Sequence, residues 1–310
     1  MNSYLIYLEW PEKCFRVDAE ALRFFRSLVP AGSEVVRVRS DSALLRALPR
    51  ATHVVTWHFK SEWFARAPRL KLLATPAAGR ELVPKEGPEG VKIHFGGFHG
   101  AIISETVIGF ATAWAHGFFR KGPLWPRSNL AEYCREIAGT HAVIAGYGRV
   151  GRAIGARFEA MGARVSGFTR KNLKDLPAAA ATADWFVLAL PGDTGTDDFL
   201  DARLLRRLPR RAVVINVGRG NAVDEAALAA ALESGRIAGA YLDVFKNEAT
   251  VLKGIATKRE KVDLANLSAA KAPRNLVRMP HSSAFSPRYV RMCFQELKDE
   301  GLLGDVRHEA

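Results

Sequence analysis

The chain has 310 residues, of which 48% are hydrophobic and 25% are charged. This is an ordinary globular composition, which excludes intrinsic disorder and leaves room for two domains. No stretch approaches the ~18 consecutive apolar residues that cross a membrane, and no leader pattern is visible, so we expect a cytoplasmic protein without membrane association. The three widely spaced cysteines fit neither a disulfide framework nor a zinc or redox motif.

The formal charge is +13, from 45 Lys and Arg against 32 Asp and Glu, and the excess is spread along the chain. A basic field attracts anionic small molecules as readily as nucleic acid, so charge alone predicts an anionic partner without naming it. No nucleic-acid recognition module accompanies the charge. We therefore expect an anionic small-molecule substrate and no nucleic-acid partner.

Short β-rich segments alternate with helical patterns from the first residues to VKIHF at 91–95. Such alternation is typical of parallel strands joined by helical crossovers. A long helix over 104–120 is apolar on more than one side, which predicts a buried helix. A second alternating series begins with HAVIAG at 141–146. The predicted fold class is therefore α/β, with two doubly wound parallel sheets.

The segment 246–274 is polar and Lys-rich and has no regular period, so we predict a surface excursion there. A short strand, LVRM, follows at 276–279. A final helix is predicted to open at Ser286 and Pro287, because Ser can cap a helix and Pro suits its first turn.

The clearest local motif is G-x-G-x-x-G, which stands between a predicted strand and a predicted helix. Its residues are Gly146, Tyr147, Gly148, Arg149, Val150 and Gly151. The glycines allow a tight turn, a close approach to a pyrophosphate and close helix packing, while the helix N-terminus faces the anion. The alternative is a plain strand-to-helix turn, but the flanking elements favour dinucleotide binding.

The next strand, ARVSGF, is followed by Thr169, Arg170 and Lys171. Sites for NAD carry an acidic residue at this place, which accepts hydrogen bonds from the ribose hydroxyls. A hydroxyl and two cations instead suit a ribose 2′-phosphate, because the phosphate needs hydrogen-bond donors and balancing charge. This predicts a preference for NADP(H), with NAD(H) still possible. The alternative is that both cations are solvated loop charges.

Three later segments each follow a predicted strand of the second sheet. VINVGRGNAVDE contains Arg219, AYLDVFKNE contains Asp243 and Glu248, and RMPHSSAF contains His281. Open α/β sheets bind ligands at the carboxyl ends of their strands. We therefore expect these side chains to converge on the crevice that holds the glycine loop.

With these segments in order, the sequence resembles the D-isomer-specific 2-hydroxyacid dehydrogenase family, which includes phosphoglycerate dehydrogenases and glyoxylate/hydroxypyruvate reductases. The matching motifs are GYGRVG, LALPGDTGT, INVGRG, LDVF and PHSSAF, and LKLLATPAAG and ISETV match the substrate-side motifs. The resemblance implies a Rossmann cofactor domain over 104–284. It also implies a flavodoxin-like substrate domain over 1–103 and 285–310, and a homodimer.

The resemblance also implies catalytic roles. Arg219 would bind the substrate carboxylate and polarise its carbonyl, His281 would be the general acid/base, and Glu248 would hold His281 and raise its pKa. The chemistry agrees, because reducing a 2-keto acid needs a proton for the developing alkoxide and a cation for the carboxylate. The implied reaction reduces a small 2-keto acid, such as glyoxylate or hydroxypyruvate, to the D-2-hydroxy acid.

Further contacts follow from the same resemblance. For the substrate they are Trp57 and the backbone amides of Ala78 and Gly79. For the cofactor they are Leu190, Pro191, Thr196, Val217, Gly218, Asp243 and Ser283, with Asp243 near the nicotinamide carboxamide. His94 and His99 flank a Gly-Gly turn without a visible third ligand, so no metal is expected.

Two positions depart from the family pattern. Glu248 is followed by Ala249-Thr250 where the family has Pro-Leu, and the connection from there to His281 is longer than usual. Another carboxylate could replace Glu248, and a cofactor-responsive scaffold or regulator with little turnover is the alternative function. Arg80 follows the AAG loop, where it would either favour a larger or doubly charged acid or face solvent.

Overall fold

A computed structural model of the chain describes residues 2–119, 134–246, 273 and 275–304. It divides into two compact units, Met1–His99 with Phe285–Ala310, and Gly100–Ala284. The division falls at 99/100, whereas the sequence expectation placed it at 103/104. Among the described residues, no helix combines the length and the apolar character needed to cross a membrane.

The first unit contains a five-stranded parallel sheet with the order β2-β1-β3-β4-β5. The strands are β1 (Ser3–Tyr7), β2 (Glu34–Arg37), β3 (His53–Thr56), β4 (Leu72–Thr75) and β5 (Lys92–Phe95). The helices are α1 (Ala19–Leu28), α2 (Asp41–Ala47) and, after the second unit, α8 (Tyr289–Asp299). Short 3₁₀ helices lie at Lys13–Phe15, Leu48–Arg50 and Ser61–Arg66.

Local capping and ring packing hold these elements together. The Asp18 side chain accepts a hydrogen bond from the Ala21 amide at 2.7 Å, which satisfies one free donor at the start of α1. Helix α1 packs against α8 through Phe25 and Phe294, whose ring centroids lie 4.6 Å apart. Helix α8 begins at Tyr289 rather than at Ser286, whose hydroxyl accepts from the Arg288 amide in the turn before the helix.

The second unit contains a six-stranded parallel sheet with the order β11-β10-β9-β8-β6-β7. The strands are β6 (His141–Ala145), β7 (Arg164–Phe168), β8 (Trp185–Leu188), β9 (Val213–Asn216), β10 (Gly239–Leu242) and β11 (Leu276–Arg278). The helices are α3 (His99–Ala115), α4 (Arg149–Ala160), α5 (Leu176–Ala180), α6 (Ala202–Leu205) and α7 (Glu225–Glu233). Both sheets are doubly wound, so the predicted fold class is confirmed.

The order of the second sheet positions the site. Strand β6 comes first in the chain, and its two neighbours, β7 and β8, lie on opposite sides of it. The chain therefore leaves β6 in one direction and later returns on the other side, which opens a crevice at the carboxyl ends of β6 and β8.

The long apolar helix α3 runs over His99–Ala115 and not over 104–120. Gly117, with a φ of 74°, ends it in the left-handed conformation that commonly terminates helices. Val107 and Ala111 are fully buried, in one cluster with the β6, β8 and β9 side chains. At Gly239 the helix comes so close that a Cβ would lie 2.0 Å from the Trp114 ring.

Gly239→Ala should therefore destabilise the protein by about 1–3 kcal/mol, because the Trp114 ring must move to admit the methyl group. Gly109→Ala in α3 is the matched control, since nothing lies within 4 Å of its Cβ position. It should stabilise the protein by about 0.5–1 kcal/mol. Denaturant unfolding of both variants measures the difference, and equal effects would contradict this account of the packing.

Candidate functional site

The glycine loop leaves β6 and enters α4 in a shape that only glycine permits. Gly146 has a φ of 93°, and a Cβ there would lie 2.4 Å from the carbonyl oxygen of Ala189. A Cβ at Gly151 would lie 2.3 Å from the Gly146 carbonyl oxygen. Gly148 caps α4 without a side-chain hydrogen bond, and nothing lies within 4 Å of its Cβ position. The open space at this helix N-terminus fits a pyrophosphate.

Tyr147 anchors this loop to the rest of the unit. A Cβ at Gly167 on β7 would lie 2.2 Å from its ring, and one at Gly155 on α4 would lie 2.7 Å from its hydroxyl oxygen. Its amide donates to the Phe168 carbonyl at 2.9 Å, and burial raises the pKa of the phenol. The ring thus fixes the loop, and the predicted cofactor contact of Tyr147 stays a prediction.

The motif's two remaining residues begin α4. Arg149 is the first residue of the helix and is exposed, while Val150 is half-buried and packs against the α3 side of the core. Their roles toward a cofactor stay predictions.

The loop after β7 is organised by Asn172, which the sequence reasoning missed. Its side-chain oxygen accepts from the Thr169 amide at 2.7 Å and from the Thr169 hydroxyl at 3.2 Å. The Lys171 amide donates to that hydroxyl at 3.3 Å. Arg170 extends away and donates to the Asp193 carboxylate at 2.7 Å. The cations lie at the carboxyl end of β7, where the sequence placed them.

The loop after β8 carries the predicted contacts Leu190, Pro191 and Thr196. The hydroxyl of Thr196 lies 2.7 Å from the carbonyl oxygens of both Pro191 and Asp193. A Cβ at Gly218 would lie 2.6 Å from the backbone nitrogen and oxygen of Leu190. The loops that follow β8 and β9 are therefore in backbone contact.

Arg219 lies in the turn after β9. The fully buried Asn216 shapes this turn, since its side chain accepts from the Gly218 amide at 3.1 Å and donates to the Arg219 carbonyl at 3.0 Å. The Arg219 guanidinium donates to the Gly218 carbonyl at 2.9 Å, and its stem lies 3.0 Å from the Cβ position of Gly192. Val217 is buried in the core, so its side chain faces the sheet packing.

His281 lies in a turn that Asp243 organises. The Asp243 carboxylate, on a residue only 2% exposed, accepts from the amides of Ser282 at 2.9 Å and Ser283 at 3.1 Å. The Asp243 carbonyl accepts from the His281 amide at 2.8 Å, and His281 has a φ of 52°, an uncommon conformation for a residue other than glycine. The Tyr241 hydroxyl forms a hydrogen bond of 3.0 Å with the Ser283 hydroxyl. Asp243 therefore fixes the turn, a role beyond its predicted one.

The second sheet thus brings three of the predicted groups to one edge. The glycine loop follows β6, Arg219 follows β9 and His281 follows β11, all at the carboxyl ends of parallel strands. Glu248, the predicted partner of His281, lies outside the described residues. The 246–274 excursion lies largely outside them as well.

The predicted substrate residues lie in the first unit. Trp57 follows β3 and is only 6% exposed, with its indole nitrogen donating to the Phe15 carbonyl at 3.0 Å. Ala78 is exposed and Gly79 half-buried in the loop after β4. Arg80 stacks on the Phe95 ring at 5.2 Å. Their substrate contacts stay predictions.

His94 has partners that its sequence neighbours did not reveal. Its Nε2 lies 3.2 Å from Glu296 in α8, and its Nδ1 lies 3.3 Å from Glu300, the residue that follows the helix. These three residues are close enough to surround a metal ion. Each ring nitrogen faces a different carboxylate, however, and these contacts join β5 to α8 and the residue after it. We interpret the cluster as structural.

Comparison with known proteins agrees with the geometry. Residues 111–283, more than half of the chain, match the NAD binding domain of the D-isomer specific 2-hydroxyacid dehydrogenases. A glyoxylate reductase from Thermococcus kodakarensis is 30% identical over 245 residues, 71% of each chain. The chain therefore belongs to the D-isomer specific 2-hydroxyacid dehydrogenase family.

Two other relatives align over shorter lengths. A glycerate dehydrogenase from Methylorubrum extorquens is 32% identical over 61% of this chain and 65% of its own length. A 2-ketogluconate reductase from Gluconobacter oxydans is 38% identical over 43% of this chain and 45% of its own length. The chain thus spans less than two thirds of these two relatives.

Solved structures share the fold over nearly the whole chain. The NAD complex of a D-isomer specific 2-hydroxyacid dehydrogenase from Lactobacillus delbrueckii ssp. bulgaricus has a TM-score of 0.75 at 20% identity, covering 97% of this chain and 96% of that one. An NADPH-dependent glyoxylate/hydroxypyruvate reductase from Sinorhizobium meliloti, in complex with NADP and sulfate, has a TM-score of 0.71 at 23% identity and covers 97% and 94%.

Gly148→Ala separates ligand binding from folding. Because its Cβ would enter open space at a φ of −83°, the melting temperature should stay unchanged. Dinucleotide affinity, measured by calorimetry, should fall at least about ten-fold, because the methyl group would keep the pyrophosphate from the backbone. Gly146→Ala should instead lower the melting temperature, since its Cβ meets backbone. Unchanged dinucleotide affinity in Gly148→Ala would contradict a pyrophosphate site at the N-terminus of α4.

Asp243→Asn should lower stability by about 1–3 kcal/mol, because the amide group would face the Ser282 and Ser283 donors. Asp201→Asn is the control, since Asp201 caps α6 by accepting from the Leu204 amide and Asn caps equally well. Thermal unfolding of both variants measures the difference, and an unchanged melting temperature in Asp243→Asn would contradict this role.

Proposed function

We propose that this protein reduces small 2-keto acids to D-2-hydroxy acids with a nicotinamide dinucleotide, with a preference for NADPH. The observation that carries this proposal is the shared edge of the second sheet, where the glycine loop, Arg219 and His281 follow three of its strands. A pyrophosphate cradle, a cation and an imidazole are the groups that the reaction requires. The family membership supports the same chemistry.

Arg219 binds the substrate carboxylate in this proposal. Its guanidinium can donate two parallel hydrogen bonds to a planar carboxylate, which orients the neighbouring ketone. The stem packs over Gly192 and the turn is held by Asn216, so little conformational freedom remains to be lost on binding. The backbone amides of Ala78 and Gly79 are proposed to donate hydrogen bonds to the other carboxylate oxygen.

His281 provides the proton. When bound, the dihydronicotinamide supplies a hydride to the ketone carbon, and the developing alkoxide then takes a proton from the imidazolium of His281. The product is a 2-hydroxy acid, and His281 recovers its proton from solvent. Glu248 is proposed to hold the imidazolium.

Small anionic keto acids are the substrate class that the relatives favour. Their names include glyoxylate, glycerate and 2-ketogluconate, each an acid with oxygen on the adjacent carbon. The basic charge of +13 would raise the local concentration of such anions. Glyoxylate and hydroxypyruvate are the first candidates.

NADPH is the proposed cofactor because the end of β7 offers Arg170 and Lys171 and has no acidic residue. Both side chains are exposed at the sheet edge that carries the glycine loop. Two further proposals follow from the resemblance: the first unit is the substrate domain, and the protein is a homodimer.

Initial rates with NADPH and NADH test the proposal, using glyoxylate, hydroxypyruvate, pyruvate and a bulky 2-keto acid as substrates. We expect turnover with a higher kcat/KM for NADPH. His281→Gln should lower kcat by about 10²–10⁴-fold. His116→Gln, at an exposed histidine in the turn after α3, should leave kcat unchanged. Cofactor binding without turnover on any acid would overturn the proposal and favour the regulator.

A further inference from the structure

An ion pair spans the opening above the glycine loop. Arg170, in the loop after β7, donates to Asp193, in the loop after β8, at 2.7 Å. Strands β7 and β8 are not neighbours, because β6 lies between them. The pair therefore bridges the carboxyl end of the strand that leads into Gly146–Gly151.

The position of Asp193 is fixed by its own loop. Its carbonyl accepts from the Thr196 amide at 2.9 Å and from the Asn221 side chain at 3.2 Å. Its Oδ1 is enclosed, lies 3.2 Å from the Cβ position of Gly195 and has no hydrogen-bond partner within the described part of the chain. The other oxygen, Oδ2, is the one that meets Arg170.

Arg170 is the more exposed partner. Its side chain is 83% exposed and that of Asp193 is 41% exposed, and exposed ion pairs of this kind are weak. The guanidinium can therefore leave Asp193 for a stronger anion. A phosphate with two negative charges attracts it more strongly, but the Asp193 carboxylate then remains nearby as an unbalanced like charge.

We propose that Asp193 is a specificity-determining residue that competes with the ribose 2′-phosphate for Arg170 and so narrows the preference for NADPH over NADH. This inference rests on the proposed function, in which Arg170 receives the 2′-phosphate. Sites for NAD carry a carboxylate at the end of β7, and this chain has none there. Asp193, in the loop after β8, supplies a carboxylate that opposes the 2′-phosphate from another part of the chain.

Calorimetric binding of two adenosine fragments tests the inference without turnover. Adenosine 2′,5′-bisphosphate carries the 2′-phosphate and 5′-AMP does not, so the ratio of their Kd values isolates that group. Asp193→Asn should tighten the bisphosphate by about five- to ten-fold and leave 5′-AMP within about two-fold. The gain should shrink as salt is raised, because exposed charges are screened.

Two further variants make the result specific. Glu233→Gln changes the net charge equally, but it lies at the end of α7, at the opposite edge of the same sheet, and should leave both Kd values unchanged. In an Arg170→Ala background, the gain in bisphosphate binding from Asp193→Asn should be smaller than in the wild-type background, because the shared partner is gone and only the direct repulsion between carboxylate and phosphate remains.

The outcomes separate the inference from the function. An unchanged or weakened bisphosphate affinity in Asp193→Asn, with both fragments still binding, overturns the inference alone and would make Asp193 an orienting partner of Arg170. Failure of both fragments to bind the wild-type protein overturns the proposed function, and the inference with it.

Discussion

Backbone segments at the carboxyl edge of the second sheet approach one another more closely than side chains allow. Gly146 lies against Ala189, and Gly218 lies against Leu190, at distances where a Cβ would overlap backbone atoms. Backbone cannot yield as a flexible side chain can, so any larger residue would push the loops apart. The loops after β6, β8 and β9 therefore form one packed layer, and the positions of the functional side chains follow from it.

Two buried polar side chains complete this layer. Asn216 orders the turn that carries Arg219, and Asp243 orders the turn that carries His281, each by bonding backbone groups. A buried polar group without hydrogen-bond partners is costly. Each of these side chains finds its partners only in the backbone of its turn as folded, and this need therefore holds the turn in place. The uncommon φ of His281 persists because the Asp243 contacts over-determine it.

The sequence predicted the features that depend on neighbours along the chain. The glycine loop was recognisable because its glycines lie between a strand and a helix, and the order of motifs revealed the family. The helix α3 was placed too late, because a helix that is apolar all round offers no polar face to set its boundaries. Gly117, which ends the helix, lies inside the predicted range.

Contacts between distant residues were beyond prediction. Asp193 is 23 residues from Arg170, and Glu296 is 202 residues from His94, so neither pairing leaves a periodic or spacing signal. The buried position of Trp57 also depends on Phe15, 42 residues away, whose carbonyl accepts a hydrogen bond from the indole nitrogen. Only the folded chain brings such groups together, because strand order and loop packing decide which ends become neighbours.

The two ends of the proposed cofactor site differ in how firmly their residues are held. Arg219 and His281 lie on turns that are held by the buried side chains of Asn216 and Asp243. Replacing either of these side chains would leave backbone donors or acceptors of the turn without partners. Arg170 and Asp193 meet through partly exposed side chains, where an isosteric change removes a charge from a pair that adds little to stability. Because the site is built in this way, cofactor preference can change with little effect on folding, whereas the geometry of the reaction cannot. Under the proposed function, the buried anchors therefore fix the positions of Arg219 and His281, and exposed charge adjusts the choice between the two dinucleotides.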